Sequence, residues 1–447
     1  MYNKMSKLVT SRDIKRVNCA QKITNECTVK ENAKFSLHSS SFYQKRKEVE
    51  CFDLFQPSST DGQIQVAVPF SYYYHHLSHQ IESVSINQPK IDFRFYGSLL
   101  ERQRLIRDDV FSILNRTRSI LLCLHTGFGK TIFAIYLASK IGMKTLILCH
   151  RKIIMDQWIN AVHKYCPGVS IELCNPKKKP TSDIVVCNVL TVPKCNEKDT
   201  SRSAFKEYGC LILDEIHTVC TEQFSKALFH VFPQWMIGLS ATPYRSDGMD
   251  KIIELYVGPE AIYKEMWRIF NVYKLNTLFT PEVARNQDGS IEWNSALTSQ
   301  ATSQTRNELI VKCIQYFSSR KILVLVKRKD HANILKQMCY NLGEDVDTFM
   351  ESDKMANYNC RVLIATYSKG GVGFDHPGLD MLIGAADVEE NFMQYLGRVF
   401  RKDDTAPIYI DLIDDNAIMK KHSNTRIKIC KSVGGVVRDF LDCFPTF

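Results

Sequence analysis

From about residue 100 the chain settles into a rhythm that few folds can satisfy. Short apolar runs alternate with amphipathic stretches of about 10–15 residues. A strand that is apolar along its whole length must be covered on both faces, and helices crossing over between parallel strands supply that cover. Strands are expected at 120–125, 145–149, 184–187, 210–213 and 236–240, with helices at 131–141 and 153–165. The rhythm breaks after Tyr244, where Pro259, Pro281 and the polar run from Asn286 to Ser290 interrupt it. It resumes with helix 308–318, strand 321–326, helix 331–340, strands 361–366 and 381–384, helix 391–399 and strand 408–412. The pattern predicts an α/β chain of two lobes built on parallel sheets. We expect a basic arm with a small β element over 1–95, a first lobe over 96–257 and an irregular connector over 258–305. A second lobe over 306–430 and a tail over 431–447 follow. The β element is expected around 62–70 (GQIQVAVPF), where apolar and polar residues alternate.

A length of 447 residues suits two or three domains. Hydrophobic residues at 45% and charged residues at 24% exclude a disordered chain. The longest aliphatic runs, such as Ile322 to Val326, are far shorter than the roughly 20 residues a membrane-spanning helix needs. No membrane partner is therefore expected, and the N-terminus carries no apolar signal core. The 16 cysteines form no CxxC pair, and Cys123, Cys149 and Cys187 sit inside apolar runs. That usage fits a reduced, intracellular protein using cysteine as a small hydrophobe, without fixing the compartment. The formal charge of +10 is uneven: residues 1–50 contribute +6 and residues 101–200 contribute +8. Such a distribution permits a polyanionic partner, although a basic tail is equally a device for solubility.

The sharpest motif is HTGFGKT, His125 to Thr131, which follows an apolar strand and opens a helix. In that context Gly127 and Gly129 let successive N–H groups point at phosphate oxygens, and the helix N-terminus adds its positive end. Leu124, His125, Thr126 and Phe128 complete the loop. Lys130 would neutralise phosphate charge, and the Thr131 hydroxyl would ligate Mg²⁺. Leu124 stands where a first glycine is usual. The second motif is CLILDEIH, Cys210 to His217, whose two carboxylates end an apolar strand. Asp214 is placed to hold Mg²⁺ and Glu215 to polarise an attacking water. An acidic helix start is the competing reading of this pair. The two motifs lie 84 residues apart, which suits a parallel sheet with both side by side.

With SAT (Ser240 to Thr242) and QYLGRVFR (Gln394 to Arg401), these motifs stand in the order of superfamily 2 helicases and translocases, which the chain resembles over roughly residues 95–415. The resemblance implies tandem RecA-like lobes, ATP and Mg²⁺ as cofactors, and nucleic acid as partner. It implies that Gln103 reads adenine, although a surface glutamine is the commoner meaning. It implies that His217, Ser240 and Thr242 couple hydrolysis to movement, and that Arg398 and Arg401 act as arginine fingers with Gln394 on the same helical face. The segment IATYSKGGVGFDHP resembles the family motif that touches both nucleotide and nucleic acid, which assigns Gly373 and Asp375 to the nucleotide and Thr366 and Gly370 to nucleic acid. Arg151, Lys327 and Arg328 are candidate backbone contacts, each equally readable as a solvated charge. DEIH in place of DEAD, Gln394 in place of histidine, and the segments LCHRKIIMDQW and GLSATPYRSDGMD are similar to the XPB-like group. Within it, poxvirus-type transcription helicases, with iridovirus and asfarvirus relatives, look nearest. DNA is the expected substrate and transcription machinery the expected partner. An RNA helicase of the same superfamily and a hydrolysis-deficient binding platform are the alternatives.

Overall fold

The apolar runs of the first half become the middle of one sheet. In the computed structural model the described residues are 8–10, 26–30, 48–51, 53–55, 65–79, 86–196, 204–221, 225–241, 250–286, 292–350, 359–371, 376, 378–388, 392–400 and 405–447. The chain divides into two units, Met1–Lys264 and Glu265–Phe447.

The first unit holds β1 (Ser119–Leu124), β2 (Thr145–Cys149), β3 (Ile171–Leu173), β4 (Ile184–Asn188), β5 (Cys210–Leu213), β6 (Trp235–Ser240) and β7 (Ala261–Lys264). Their order is β7-β1-β6-β5-β2-β4-β3, and every neighbouring pair is parallel. β1, β2 and β5 are buried along their whole length, which is why they read as unbroken apolar runs. The principal helices are α1 (Glu101–Thr117), α2 (Lys130–Ile141) and α3 (Lys152–Tyr165). On α3 the buried residues Ile154, Trp158 and Val162 recur every fourth position, so one stripe faces the core. Ahead of this sheet, Gln65–Ala67 lies between Leu8–Thr10 and Asp53–Phe55 in a small antiparallel sheet, and Thr28–Lys30 pairs with Glu48–Glu50.

The second unit repeats the plan. Its strands are β8 (Phe270–Asn276), β9 (Ile322–Val326), β10 (Val346–Phe349), β11 (Val362–Thr366), β12 (Met381–Gly384), β13 (Ile408–Ile413) and β14 (Gly435–Asp439). The order is β10-β11-β9-β12-β13-β8-β14, again parallel throughout. Its longer helices are α4 (Trp293–Thr302), α5 (Gln304–Tyr316), α6 (Lys329–Asn341) and α7 (Ala417–Ser432). Two sheets of parallel strands flanked by helices are tandem RecA-like lobes, as the sequence predicts.

The stretch expected to be an irregular connector contains regular elements. β7 closes one edge of the first sheet, β8 lies inside the second, and α4 follows. β7 is partly exposed and β8 is interrupted by the half-buried Asn271 and Lys274, so neither shows a continuous apolar run. Likewise the expected tail supplies β14 and the buried Phe440, which packs in the core of the second unit. Among the described residues no helix is long and apolar enough to cross a membrane, and 15 cysteines are free.

Candidate active site

In a parallel sheet the C-terminal tips of the strands share one edge, so the loops leaving β1, β2 and β5 gather there beside the end of β6. The expected side-by-side placement of the two motifs is corrected by one strand. β6 runs between β1 and β5, pairing Ser240 with Cys123 on one side and Gly238 with Leu213 on the other. Ser240 therefore ends the strand that separates the glycine loop from the carboxylates.

The loop leaving β1 turns through Gly127 and Gly129, both at φ 88. Left-handed backbone is accessible to glycine at little cost. A side chain at Gly129 would also meet the Gln103 Nε2 atom at 2.6 Å. Gln103 itself is buried on α1. Its amide donates to the carbonyls of Phe128 and Gly129 at 3.2 and 3.1 Å, and its oxygen accepts from the Leu100 N–H at 2.9 Å. Both ends of this amide are thus bonded to backbone. Arg102 adds a bond to the Gly127 carbonyl at 2.9 Å. Phe128 is buried and meets the His125 ring edge-on, and Leu124 is buried at the strand end. Burial holds the His125 imidazole below its usual range. Thr126 and Thr131 are half-buried. Lys130 opens α2 and donates to the Leu124 carbonyl at 3.0 Å.

Asp214 and Glu215 leave the tip of β5. Glu215 has left-handed backbone, with φ 49 and ψ 58. A side chain other than glycine held there stores strain of about 1–2 kcal/mol, a feature that clusters at functional sites. Its Oε2 atom is buried and accepts no hydrogen bond among the described residues. His217 Nδ1 lies 3.6 Å from that oxygen and 3.1 Å from Ser240 Oγ, so His217 stands beside both the carboxylate and the end of β6. The Asp214 carboxyl is held above the usual range by burial first and then by the Glu215 charge, while Lys130 pulls the other way. Asp214 Oδ2 accepts the Trp158 indole N–H at 2.7 Å, and Oδ1 accepts the Glu215 N–H at 3.0 Å. Trp158 is a partner that sequence reasoning did not assign; it ends the LCHRKIIMDQW segment. Among the described residues no cluster of three or more His, Cys, Asp or Glu is arranged to hold a metal. One carboxylate and one hydroxyl are hard oxygen donors that suit an ion keeping most of its water and shared with phosphate, which is the habit of Mg²⁺.

Arg151 is exposed at the N-terminus of α3, and Arg328 holds the equivalent place before α6 in the second unit, with Lys327 exposed beside it. Thr366 ends β11, buried, with its hydroxyl 3.1 Å from Ser368. The following residues form a short helix, Tyr367–Gly371. A Cβ at Gly370 would strike the Leu325 side chain at 2.6 Å, so close packing on β9 accounts for glycine there.

Gln394 is half-buried in the helix Phe392–Leu396, and Arg398 is buried in the 3₁₀ turn Gly397–Val399 that continues it. Ahead of them, residues 385–388 leave β12 without regular structure but with their backbone carbonyls held. Ala385 O accepts from Arg306 at 2.6 Å, Ala386 O from the Tyr367 hydroxyl at 2.8 Å, and Val388 O from Arg426 at 2.6 Å. Tyr367 also packs edge-on against Tyr395. None of these anchors was legible as such in the sequence. Thr242, Gly373, Asp375 and Arg401 lie outside the described residues.

A glycine loop entering a helix and an acidic strand tip, on the first of two RecA-like lobes, define the class of helicase-type ATPases. The comparisons narrow it. Residues 76–245 match the family model described as "Type III restriction enzyme, res subunit". "Putative helicase 161L" of Invertebrate iridescent virus 6 is 36% identical over 377 residues, covering 79% of this chain and 85% of that protein. "Putative ATP-dependent RNA helicase L396" of Acanthamoeba polyphaga mimivirus is 26% identical, covering 81% and 73%. "DNA 3'-5' translocase XPB2" of Sulfurisphaera tokodaii is 22% identical, covering 67% and 78%. Among solved structures, a single-residue variant of S. cerevisiae Dbp5 bound to RNA and ADP BeF3 superposes with a TM-score of 0.52 at 12% identity, covering 76% of this chain and 94% of that one. That likeness concerns the fold. The chain belongs to the superfamily 2 helicases, ATP-dependent enzymes, and to the branch found in large DNA viruses.

Proposed function

We propose that this chain couples ATP hydrolysis to movement along, or unwinding of, nucleic acid, with DNA as the substrate, in the transcription machinery of a large DNA virus. The observation that carries the reading is the pair Asp214–Glu215 on the strained tip of β5, with His217 between Glu215 and Ser240. In this reading Lys130 neutralises the phosphates, Glu215 polarises the attacking water and Arg398 and Arg401 stabilise the charge on the transferring phosphoryl group. Thr131 and Asp214 would hold Mg²⁺, which when bound screens phosphate charge. His217, Ser240 and Thr242 would pass the loss of that phosphoryl group onward. Arg151, Lys327, Arg328, Thr366 and Gly370 would follow the nucleic-acid backbone, making binding salt-sensitive. Gln103, Gly373 and Asp375 would border the nucleoside.

The preference for DNA rests on Gln394 and on the likeness to the XPB-like group. The name of the mimivirus relative favours RNA as the second reading. Phosphate release measured with single-stranded DNA, duplex DNA and RNA as separate stimulants decides between them. Glu215→Gln should bind ATP normally and lose the stimulated hydrolysis. Normal turnover in that variant would sink the assigned base. Hydrolysis that ignores every nucleic acid would sink the motor reading, and absence of hydrolysis in the unaltered protein would leave a binding platform.

A further inference from the structure

Two side chains from the segment after β2 reach the catalytic segment after β5. His150 Nδ1 lies 3.0 Å from Thr218 Oγ1, and that hydroxyl donates to the Glu215 carbonyl at 2.8 Å. A hydroxyl has one proton, so His150 must donate through Nδ1. Burial lowers this imidazole to about 4, which keeps the ring neutral and consistent with that tautomer. The second side chain is Trp158, 1% exposed, whose indole N–H meets Asp214 Oδ2 at 2.7 Å across 56 residues of sequence. A buried indole N–H needs an acceptor, and a short bond to a carboxylate is of the strong, charge-assisted kind. With the Glu215 N–H on Oδ1, each carboxylate oxygen carries one protein donor, and the plane of the group is fixed.

We infer that Trp158 is a positioning residue for Asp214: its indole N–H sets the orientation in which that carboxylate meets the divalent ion accompanying ATP. The inference rests on the reading of Asp214 as the metal carboxylate. Groups that orient a metal ligand from behind typically change metal affinity by about 10–100-fold when removed. The competing role is packing, because Trp158 also fills the space between α3 and the sheet.

The experiment is calorimetric titration of the full chain with ADP over a series of Mg²⁺ concentrations. Trp158→Phe should raise the half-saturating Mg²⁺ about 10-fold while leaving metal-free ADP affinity unchanged. In an Asp214→Asn background the same substitution should have no effect on the Mg²⁺ series, because the group it positions is gone. An unchanged Mg²⁺ series, an equal loss at every Mg²⁺ concentration, or the same 10-fold loss in the Asp214→Asn background would overturn the proposal. Should Trp158→Phe fail to fold, 3-benzothienylalanine at position 158 keeps the bicyclic shape without the N–H, and the same criteria apply. If ADP binding by the unaltered protein ignores Mg²⁺ altogether, it is the reading of Asp214 that fails. A Mg²⁺-dependent wild type with an indifferent Trp158→Phe refutes Trp158 alone.

Discussion

Arg426→Met is the most demanding test of how the second lobe holds its functional segment. Arg426 is 3% exposed on α7. Its Nε donates to Asp411 at 2.8 Å, and one terminal nitrogen serves both Asp387 at 2.8 Å and the Val388 carbonyl at 2.6 Å. Without the guanidinium, Asp411 keeps the Tyr409 and Ser423 hydroxyls, and Asp387 keeps the His422 ring at 2.5 Å. Two buried carboxylates would then face a methionine. Breaking a buried pair from one side costs about 3–5 kcal/mol, because it leaves charge uncompensated. For a unit the size of Glu265–Phe447, each kcal/mol moves the midpoint by about 2–4 °C, so the drop should be roughly 6–20 °C.

Trp293 stacks on His422 and so reports on this cluster through its fluorescence during thermal denaturation. The transition it follows should move by that amount. Arg426→Met combined with Asp387→Asn should recover part of the loss, since one of the stranded charges is removed. At temperatures where Arg426→Met is folded, kcat should fall more than ATP affinity, because residues 385–388 shortly precede in sequence the segment that carries Gln394 and Arg398. A midpoint within about 2 °C of wild type would refute the reasoning, because no buried guanidinium bonded to two carboxylates can be that cheap to remove.

Two further outcomes follow from the geometry. Gly129→Ala places a Cβ at φ 88 and 2.6 Å from Gln103 Nε2, costing about 1–2 kcal/mol in backbone strain alone. Nucleotide titration should show ATP affinity about 10-fold or more weaker, and wild-type affinity would refute the role given to the loop's conformation. His331 is buried against Asn307 Oδ1 at 2.9 Å, and burial lowers its imidazole to about 3. Below about pH 6.5 the unfolded chain takes up a proton that the fold refuses, so stability falls as pH drops from 6.5 towards 3. At pH 5 the loss is about 2 kcal/mol, and His331→Gln should flatten this part of the melting-temperature profile. Equal slopes in both proteins between pH 7 and 5 would refute the assignment.

What the sequence disclosed and what it withheld separate along physical lines. The central strands were legible to within a residue or two, because strands buried on both faces must be apolar throughout. The edge strands β3, β7 and β14 were not. Each is short and partly exposed, and its existence depends on a neighbour that only the fold supplies. The tip of β5 was legible because strand, carboxylates and the following helix are contiguous. The placing of β6 between β1 and β5 was not, because strand order is a property of the sheet and not of any one segment.

The same division governs the polar groups. The glycine loop and the acidic pair announce themselves because their chemistry requires residues adjacent in sequence. The side chains that hold them come from afar: Gln103 reaches Phe128 across 25 residues and Trp158 reaches Asp214 across 56, just as in the second lobe Arg306 reaches Asp414 across 108. Any buried donor at the right distance can do this work, so no short pattern betrays it. Yet a buried indole or guanidinium with its partner removed is among the costliest defects a fold can carry. Such positioning residues should therefore tolerate substitution no better than the motif residues do, while affecting metal dependence and stability before they affect nucleotide binding. A substitution scan of the lobes that separates those readouts would distinguish the two groups, and finding Trp158, Arg306 and Arg426 as tolerant as exposed Arg104 or Lys178 would remove the basis for the distinction.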